Sequence, residues 1–338
     1  MLCVVSFGVI KLHLATNPEA GSSDSELKVG FVQPMLYRED TLDELYVSSA
    51  KLVLDNKDID LLVWPEFPSE FSYIENLEDK KQIDRLISFI KKPMLFVSGY
   101  VYDHSEGKNI DSLPYFNTAH LIDKNKKLVG NYQKQLLVPF FEYLPGESAL
   151  PFLRNVFPGT LNYIPGTSFE VFQLTESVKI IPLICYETVF PEVTRPFVNN
   201  GGNIIFNLTN DIWFGDYWGS SYHFALGMFR SVEHHIPWVR VTNSGISGAV
   251  TENGKIIEGS VTPQLVKTAR TITVRIPTER SFYSAYGDIA LYLLTFTVLL
   301  HLARSSRIFF VSKTKRSKMG LYPYLSDAAK KLIRNKGG

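Results

Sequence analysis

Short apolar runs of strand length alternate with longer segments of helical period between residues 27 and 242. The predicted strands are Leu27–Gln33, Ile59–Trp64, Pro93–Tyr102, Phe116–Asp123, Lys179–Cys185, Asn203–Leu208 and Trp238–Thr242. The predicted helices are Thr41–Asn56, Glu78–Lys91 and Tyr222–His234. Strands that alternate with helices are typical of a sheet whose faces are covered by helices. The sequence therefore predicts an α/β domain.

The composition excludes several classes of protein. The chain has 338 residues, 45% of them hydrophobic, which indicates a packed core and excludes disorder of the whole chain. The two cysteines, Cys3 and Cys185, are too far apart to indicate a disulfide framework or a cysteine zinc site. The seven histidines show no metal-ligand spacing such as HExxH. We therefore expect no metal site.

The formal net charge of +1 conceals an asymmetry between the two ends of the chain. Residues 304–338 carry ten Lys or Arg against one acid, a balance of +9. The preceding 303 residues carry 25 basic and 33 acidic side chains, a balance of −8. An acidic main domain argues against a nucleic-acid partner.

Two uncharged apolar segments lie near the ends of the chain. Met1–Ile10 is too short to span a bilayer unaided, and we interpret it as a marginal anchor or a remnant. Ile289–Ala303 has fifteen uncharged residues, which is marginal for a span and also compatible with a buried core helix. The basic cluster that follows favours a terminal membrane helix with a cytoplasmic tail, because Lys and Arg concentrate on that side.

Candidate chemical groups follow the predicted strands. Glu66 and Cys185 stand at strand ends, and Lys134 and Glu142 flank an apolar run before the long loop 144–166. Taken singly, such an acid is usually a turn residue, such a cysteine usually packs in a core, and such a lysine is usually solvated. Their joint position at strand ends is more informative, because open α/β sheets collect active-site residues there.

These residue types suit nucleophilic catalysis. A thiol requires a base to form the thiolate and a donor to hold the developing oxyanion. Glu66 can supply the first and Lys134 the second. No histidine occupies a comparable strand end, so we interpret His223 and His234–His235 as structural or, at most, substrate-facing.

Three segments of the sequence are similar to motifs of a known protein family. They are LLVWPE (61–66), YQKQLLVPFFEYLP (132–145) and IIPLICYE (180–187). They resemble the nitrilase or carbon–nitrogen hydrolase superfamily and, more narrowly, its membrane branch, the apolipoprotein N-acyltransferases. The resemblance continues through residues 207–248 and 286–294, and six short motifs in the same order make a chance similarity improbable.

The resemblance implies a four-layer α-β-β-α sandwich and a role for each candidate residue. It implies that Glu66 is the general base, Lys134 the oxyanion stabiliser and Cys185 the nucleophile. It also implies that Glu142 helps to position the lysine and the substrate amine. Two further supporting residues, Tyr186 and Glu187, match positions that flank the nucleophile.

The implied reaction is a ping-pong acyl transfer without a cofactor. The cysteine takes a fatty acyl chain from a phospholipid and passes it to the N-terminal amine of a diacylglyceryl-cysteine lipoprotein. The implied location is the bacterial cytoplasmic membrane, with the catalytic domain on the outer, periplasmic face and the C-terminus inside.

The predicted domain organisation combines the resemblance with the apolar segments. Residues 1–15 are expected to be a remnant or partial membrane helix, and 16–26 a linker. The nitrilase-like catalytic domain is expected over 27–285, the C-terminal membrane helix over 286–311 and the basic cytoplasmic tail over 312–338.

The sequence departs from the family pattern at two places. The acyltransferases carry several membrane helices before the catalytic domain, where this chain has only residues 1–15, so a separate membrane-helix partner is conceivable. Phe141 stands where the family more often has glycine, a change that can alter the freedom of the loop around Glu142.

Two alternative functions remain open. A membrane-tethered amidase or nitrilase-type hydrolase would use the same three residues and pass the acyl group to water. A non-catalytic lipid-binding relative would not need Glu66, Lys134 and Cys185 together. A cluster of aromatic residues at 213–218 favours a lipid substrate, although it is also compatible with ordinary core packing.

Overall fold

A computed structural model describes residues 25–35, 41–66, 71–103 and 113–319. The predicted segment 1–15, most of the predicted linker 16–26 and the end of the basic tail therefore lie outside the described residues. The chain divides into two compact units, one that ends at Ala285 and one that begins at Tyr286, and each is described by itself.

The strands of the first unit form two mixed sheets. They are β1 (Ser25–Gln33), β2 (Leu61–Glu66), β3 (Met94–Tyr102), β4 (Tyr115–Ile122), β5 (Leu128–Gln133), β6 (Phe172–Gln173), β7 (Lys179–Ile184), β8 (Ile204–Thr209), β9 (Trp238–Thr242), β10 (Gly248–Val250) and β11 (Thr268–Ile276). The first sheet has the order β11-β1-β2-β3-β4-β5, and the second has the order β10-β9-β8-β7-β6. Each sheet has three parallel strands at its centre and antiparallel strands outside them.

In chain order the described helices are α1 (Thr41–Asp55), α2 (Leu77–Ile90), α3 (Leu153–Val156), α4 (Pro191–Asn199), α5 (Gly219–His234), α6 (Phe282–Tyr286) and α7 (Ile289–Met319). Four of them, α1, α2, α4 and α5, cover the outer faces of the two sheets. Buried side chains of α1 and α2 pack on one face of the first sheet, and those of α4 and α5 pack with the second sheet. The α-β-β-α arrangement expected from the sequence is confirmed.

The largest apolar core lies between the two sheets. Alternate residues of a strand point to opposite faces, so Leu61 and Val63 of β2 face this core while Leu62 and Trp64 face the helices. The second sheet contributes residues such as Ile180 and Ile184 of β7 to the same core. Burial of both faces explains why the central strands are short continuous apolar runs rather than alternating patterns.

The predicted elements agree with the structure to within about three residues at their ends. The loop 144–166 is irregular apart from the four residues of α3. Seven of the described elements were not predicted, namely β5, β6, β10, β11, α3, α4 and α6. In β5 a glycine and an asparagine interrupt the apolar pattern, and α4 has only nine residues, one of them Pro196.

The C-terminal apolar segment is helical, as expected, and α7 extends through it to Met319. No helix within the described ranges has the combination of length and apolarity that a bilayer crossing requires. The predicted membrane span is therefore not supported, since Arg304 and Arg307 follow an uncharged stretch of only fifteen residues.

Close packing of α5 on the second sheet depends on a glycine. A Cβ atom added at Gly227 would overlap the indole of Trp238 on β9, which is fully buried. We expect Gly227→Ala to destabilise the fold by about 1–3 kcal/mol, although alanine normally favours a helix over glycine.

Chemical denaturation measures this effect, with Gly159→Ala as the matched control because its added Cβ would meet no atom within 4 Å. Equal midpoints for the two variants would show that α5 does not pack so closely on β9.

Candidate active site

A β-bulge in β2 turns Glu66 toward the space between the sheets. Between Val63 and Glu66, three residues of β2 advance against two of β3. Without this extra residue, strict alternation would point Glu66 toward the helices. Instead its Oε1 accepts a hydrogen bond from Asn117 Nδ2 at 2.7 Å, and its Oε2 accepts one from the backbone N–H of Asn210 at 2.9 Å. Asn210 follows β8, so this carboxylate joins the two sheets.

Lys134 directly follows β5 and is buried. Its backbone N–H donates to the carbonyl of Asn117 at 2.8 Å, which holds the residue beside β4. Its Nζ lies 2.6 Å from Glu142 Oε1 and 3.9 Å from Glu66 Oε1. A buried ammonium requires compensation, and here two carboxylates provide it. One of its three N–H groups donates to Glu142.

Glu142 is held by a tight loop after Lys134. Its Oε2 accepts from the backbone N–H of Val138 at 2.7 Å, and its own N–H donates to the carbonyl of Val138 at 2.9 Å. Phe140 turns this loop with a φ of 63°. Phe141 has no positive φ, so its side chain replaces the glycine usual in the resembled family without backbone strain.

Cys185 follows β7, with its thiol beside the Glu66 carboxylate. Its φ is 49°, in the left-handed region that non-glycine residues avoid. The residue remains partly accessible, and its thiol also interacts with the Thr209 side chain at the end of β8. Glu66, Lys134 and Cys185 therefore lie together, although the first two belong to one sheet and the third to the other.

Glu187 fixes the turn that carries the cysteine. This fully buried carboxylate accepts hydrogen bonds from the Tyr132 hydroxyl and the Gln135 N–H on Oε1, both at 2.7 Å. On Oε2 it accepts the Ile184 N–H at 2.8 Å. It thus ties the segment around Lys134 to the end of β7. Tyr186, by contrast, is half-buried and stacks edge-on against Phe190, with ring centroids 4.8 Å apart.

Burial and charge pairing control protonation in the cluster. Burial raises the pKa of Cys185 to about 12, and the Glu66 carboxylate adds to this rise. Burial also raises the pKa of Glu66, against the influence of Lys134. Burial alone would lower the pKa of Lys134, but the carboxylates of Glu142 and Glu66 outweigh it and raise the pKa. The resting site therefore holds a neutral thiol beside a cationic lysine.

Several polar residues of the site escaped sequence reasoning. Asn117 lies in the middle of β4, and its role depends on the contact with Glu66. Tyr163 donates its hydroxyl to the Gly99 carbonyl and its backbone N–H to the Glu142 carbonyl, the latter at 3.0 Å. A polar residue inside a buried strand is the only sequence signal that could have indicated Asn117.

The histidines behave differently from one another. His223 is buried, and its Nε2 lies 3.3 Å from the carbonyl oxygen of Cys185. His234 is buried beside Ser284, with 3.0 Å between Nδ1 and Oγ. Within the described ranges, no group of three or more His, Cys, Asp or Glu side chains could hold a metal ion.

Comparison with known proteins identifies the family. A family model described as carbon-nitrogen hydrolase matches residues 41–280, which include every residue of the cluster. The chain belongs to this family. It is 29% identical over 298 residues to an apolipoprotein N-acyltransferase of Geobacter metallireducens, covering 86% of this chain and 54% of that protein. It is 30% identical over 267 residues to one of Rhizobium rhizogenes, covering 75% and 49%.

The chain thus spans about half the length of these curated relatives. Among solved structures it is similar to an amidase variant from Nesterenkonia sp. AN1, in which the acetamide moiety of fluoroacetamide is covalently added at the active site cysteine. The TM-score is 0.57 at 17% identity, and the match covers 79% of this chain and 95% of that one. This likeness shows the fold.

The electrostatics of the site predict an effect of Glu66 on thiol reactivity. In the wild type, alkylation of Cys185 by iodoacetamide should still accelerate above pH 9, because its pKa is about 12. Glu66→Gln removes a negative charge that raises this pKa, so the thiolate fraction and the alkylation rate at pH 8 should rise several-fold.

Peptide mass spectrometry separates alkylation at Cys185 from alkylation at Cys3. Glu258→Gln, which removes an exposed carboxylate, is the matched control and should leave the rate unchanged. A slower reaction in Glu66→Gln would contradict the inferred influence of Glu66 on the thiol.

Proposed function

We propose that this chain transfers a fatty acyl group from a phospholipid, through a thioester on Cys185, to the N-terminal amine of a diacylglyceryl-cysteine lipoprotein. The observation that carries the proposal is a cluster of base, cationic donor and thiol that lies beside an exposed aromatic surface. The curated relatives that it resembles over most of its length are apolipoprotein N-acyltransferases, which supports the same activity here.

The aromatic surface consists of Phe141, Trp213, Tyr217 and Trp218, and we call it the aromatic rim. Trp213, Tyr217 and Trp218 are 66%, 73% and 81% exposed, so they are not core residues. The Phe141 and Trp213 rings meet edge-on with centroids 4.5 Å apart, and Phe141 immediately precedes Glu142. Clustered exposed aromatic rings suit contact with lipid better than recognition of a small polar amide.

In the first half-reaction, the thiol proton of Cys185 moves to Glu66 as sulfur attacks the ester carbonyl of the phospholipid. The carbonyl oxygen becomes an oxyanion, and the ammonium of Lys134 stabilises it. The C–O bond then breaks, and protonated Glu66 returns the proton to the leaving lysophospholipid oxygen. Because the proton moves within the cluster, the net charge around Lys134 stays constant until the oxyanion forms.

In the second half-reaction, the amine of the lipoprotein attacks the thioester carbonyl and Glu66 accepts a proton from it. The C–S bond breaks, the amide forms, and the proton returns to the sulfur of Cys185. Glu142 keeps Lys134 in place throughout, since it accepts one N–H of the ammonium and is itself held by Val138.

The chief alternative differs only in the acyl acceptor. The amidase variant from Nesterenkonia sp. AN1 carries the acetamide moiety of fluoroacetamide on its active site cysteine, which supports the assignment of Cys185 as nucleophile. A hydrolase would release the acyl group to water, and the cluster alone does not distinguish the two outcomes. The aromatic rim and the acyltransferase relatives favour the amine acceptor.

We propose that the enzyme works at the bacterial cytoplasmic membrane, because its acyl donor is a membrane lipid. The basic C-terminal residues supply about 1 kcal/mol each of attraction to anionic lipid near the surface. The sidedness expected from the sequence, with the catalytic domain outside and the C-terminus inside, stays a prediction, as does a separate membrane-helix partner.

Incubation with phospholipid in detergent should add one fatty acyl group to the protein. Intact-mass analysis should detect it, and neutral hydroxylamine should remove it because it is a thioester. Cys185→Ala is the control. Identical spectra for the two proteins would overturn the covalent mechanism.

A chase with a diacylglyceryl-cysteine peptide distinguishes the two acyl acceptors. Transfer of the acyl group to the peptide amine is expected. Release of free fatty acid at the same rate with and without peptide would favour the hydrolase.

The aromatic rim should matter only for lipid substrates. We expect Trp218→Ala to lower the acylation rate of Cys185 by phospholipid several-fold, because an apolar contact is lost, and to leave acylation by a water-soluble short-chain ester unchanged. Phe89→Ala, which also removes an exposed ring but from α2, is the matched control. Equal losses with both substrates would contradict a lipid-binding role for the rim.

A further inference from the structure

A buried polar network lies behind Cys185 and takes no part in the chemistry described above. Its members are Asn207 on β8, Asp211 after β8, His223 on α5 and Arg240 on β9. All four are buried, and Asn207 and Arg240 are fully so. Burying an arginine and an aspartate side by side is costly unless geometry and hydrogen bonds compensate, so the network requires an explanation.

The network ends on the carbonyl oxygen of Cys185. Asn207 Nδ2 donates to this oxygen at 3.0 Å, and His223 Nε2 lies 3.3 Å from it. Two donors on one carbonyl hold the peptide unit that joins Cys185 to Tyr186. This is the position where the chain adopts the left-handed φ of 49°, so the backbone needs such support.

Arg240 determines the orientation of both donors. Its Nη1 donates to Asn207 Oδ1 at 2.8 Å, so the amide nitrogen of Asn207 must face the Cys185 carbonyl. Its Nη2 donates to Asp211 Oδ2 at 2.5 Å and also lies 3.1 Å from His223 Nδ1. His223 Nδ1 also lies 3.2 Å from Asp211 Oδ1, so both a donor and an acceptor face this nitrogen. The tautomer with hydrogen on Nε2 is the one that gives Arg240 an acceptor and the Cys185 carbonyl a donor.

The protonation states agree with this arrangement. Burial, together with the charge of Arg240, lowers the pKa of His223, so the ring is neutral near pH 7. Burial would raise the pKa of Asp211, but Arg240 outweighs it and the pKa lies below its ordinary value. Asp211 therefore neutralises Arg240, and the Ser220 hydroxyl donates to its Oδ2 at 2.6 Å.

We propose that His223 and Asn207, oriented by Arg240, are positioning residues for acyl transfer, which lock the Cys185 carbonyl and so aim the Tyr186 N–H at the oxyanion. A peptide unit is planar and trans, so its N–H points away from its C=O. Hydrogen bonds that hold the Cys185 carbonyl therefore also fix the direction of the Tyr186 N–H on the opposite side of the same peptide unit. Tyr186 lies in the first turn of the helical segment Cys185–Val189, where backbone N–H groups have no acceptor within the turn.

The inference rests on the proposed acyl transfer, because it concerns the oxyanion of that reaction. Two reactions of Cys185 separate positioning from general damage. Alkylation by iodoacetamide forms no oxyanion, whereas acylation by a p-nitrophenyl ester of a short fatty acid does. Both rates are measured on the full chain by peptide mass spectrometry.

His223→Leu removes one donor, and His223→Gln retains an amide N–H that can reach the carbonyl. We expect His223→Leu to slow acylation by roughly tenfold, less than the about 100- to 1,000-fold lost when an oxyanion donor itself is removed, while alkylation stays within about twofold. His223→Gln should recover most of the acylation rate. Parallel loss of both rates, or unchanged acylation in His223→Leu, would overturn the inference.

A spectroscopic measurement reports the same interaction without kinetics. In the isolated thioester, the infrared band of the acyl carbonyl should lie at higher frequency in His223→Leu than in the wild type. The reason is that a Tyr186 N–H that no longer points at the acyl oxygen polarises this carbonyl less. Identical bands would overturn the inference.

Failure of the proposed function looks different from failure of this inference. If the wild type accepts an acyl group from the nitrophenyl ester but not from phospholipid, the lipid donor is wrong and the comparison of the His223 variants still stands. A wild type that is alkylated but acylated by neither ester would contradict both.

Discussion

The ammonium of Lys134 is the charge around which the site is organised. It is only 1% exposed, and removal of an ion from water costs several kcal/mol unless partners replace the lost hydration. Glu142 at 2.6 Å and Glu66 at 3.9 Å replace it. These two carboxylates come from segments far apart in sequence. The bulge of β2 places one of them and the tight loop after β5 places the other, so both local structures are required to compensate the charge of Lys134.

The same compensation prepares the cluster for chemistry. Two carboxylates around one ammonium leave the surroundings of Cys185 with an excess of negative charge, and the thiol stays protonated. In the proposed reaction, a proton that moves from sulfur to Glu66 leaves that excess unchanged, and the substrate carbonyl then presents its developing charge to Lys134. The turn at Cys185 is restrained from two sides. The Glu187 carboxylate accepts the Ile184 N–H, and the polar network behind Cys185 donates to the Cys185 carbonyl.

The strand-end positions of Glu66 and Cys185 were predictable from the sequence because they depend on local patterns. Glu66 and Cys185 each follow a short apolar run, and the family motifs around them are contiguous. Asn117 and Arg240 were not predictable, because each is a polar residue inside a buried strand whose partner lies far away in the sequence. Strand β5 was missed for a related reason, since its pairing with β4 rather than its own composition makes it a strand. The membrane span predicted for residues 286–311 depended on length, where fifteen uncharged residues were marginal.

Division of the cluster between two sheets has a mechanical consequence. The Glu66 carboxylate and the Lys134 ammonium belong to the first sheet and the Cys185 sulfur to the second. Between these sheets lies an apolar core whose contacts are not directional. The hydrogen bond from the Asn210 N–H to Glu66 is directional and crosses that boundary. A slip of one sheet over the other by a single side-chain spacing would leave both sheets, both helix layers and most buried area intact, yet would separate acid from thiol. Catalytic competence in this fold is therefore a more sensitive measure of inter-sheet alignment than secondary structure or compactness.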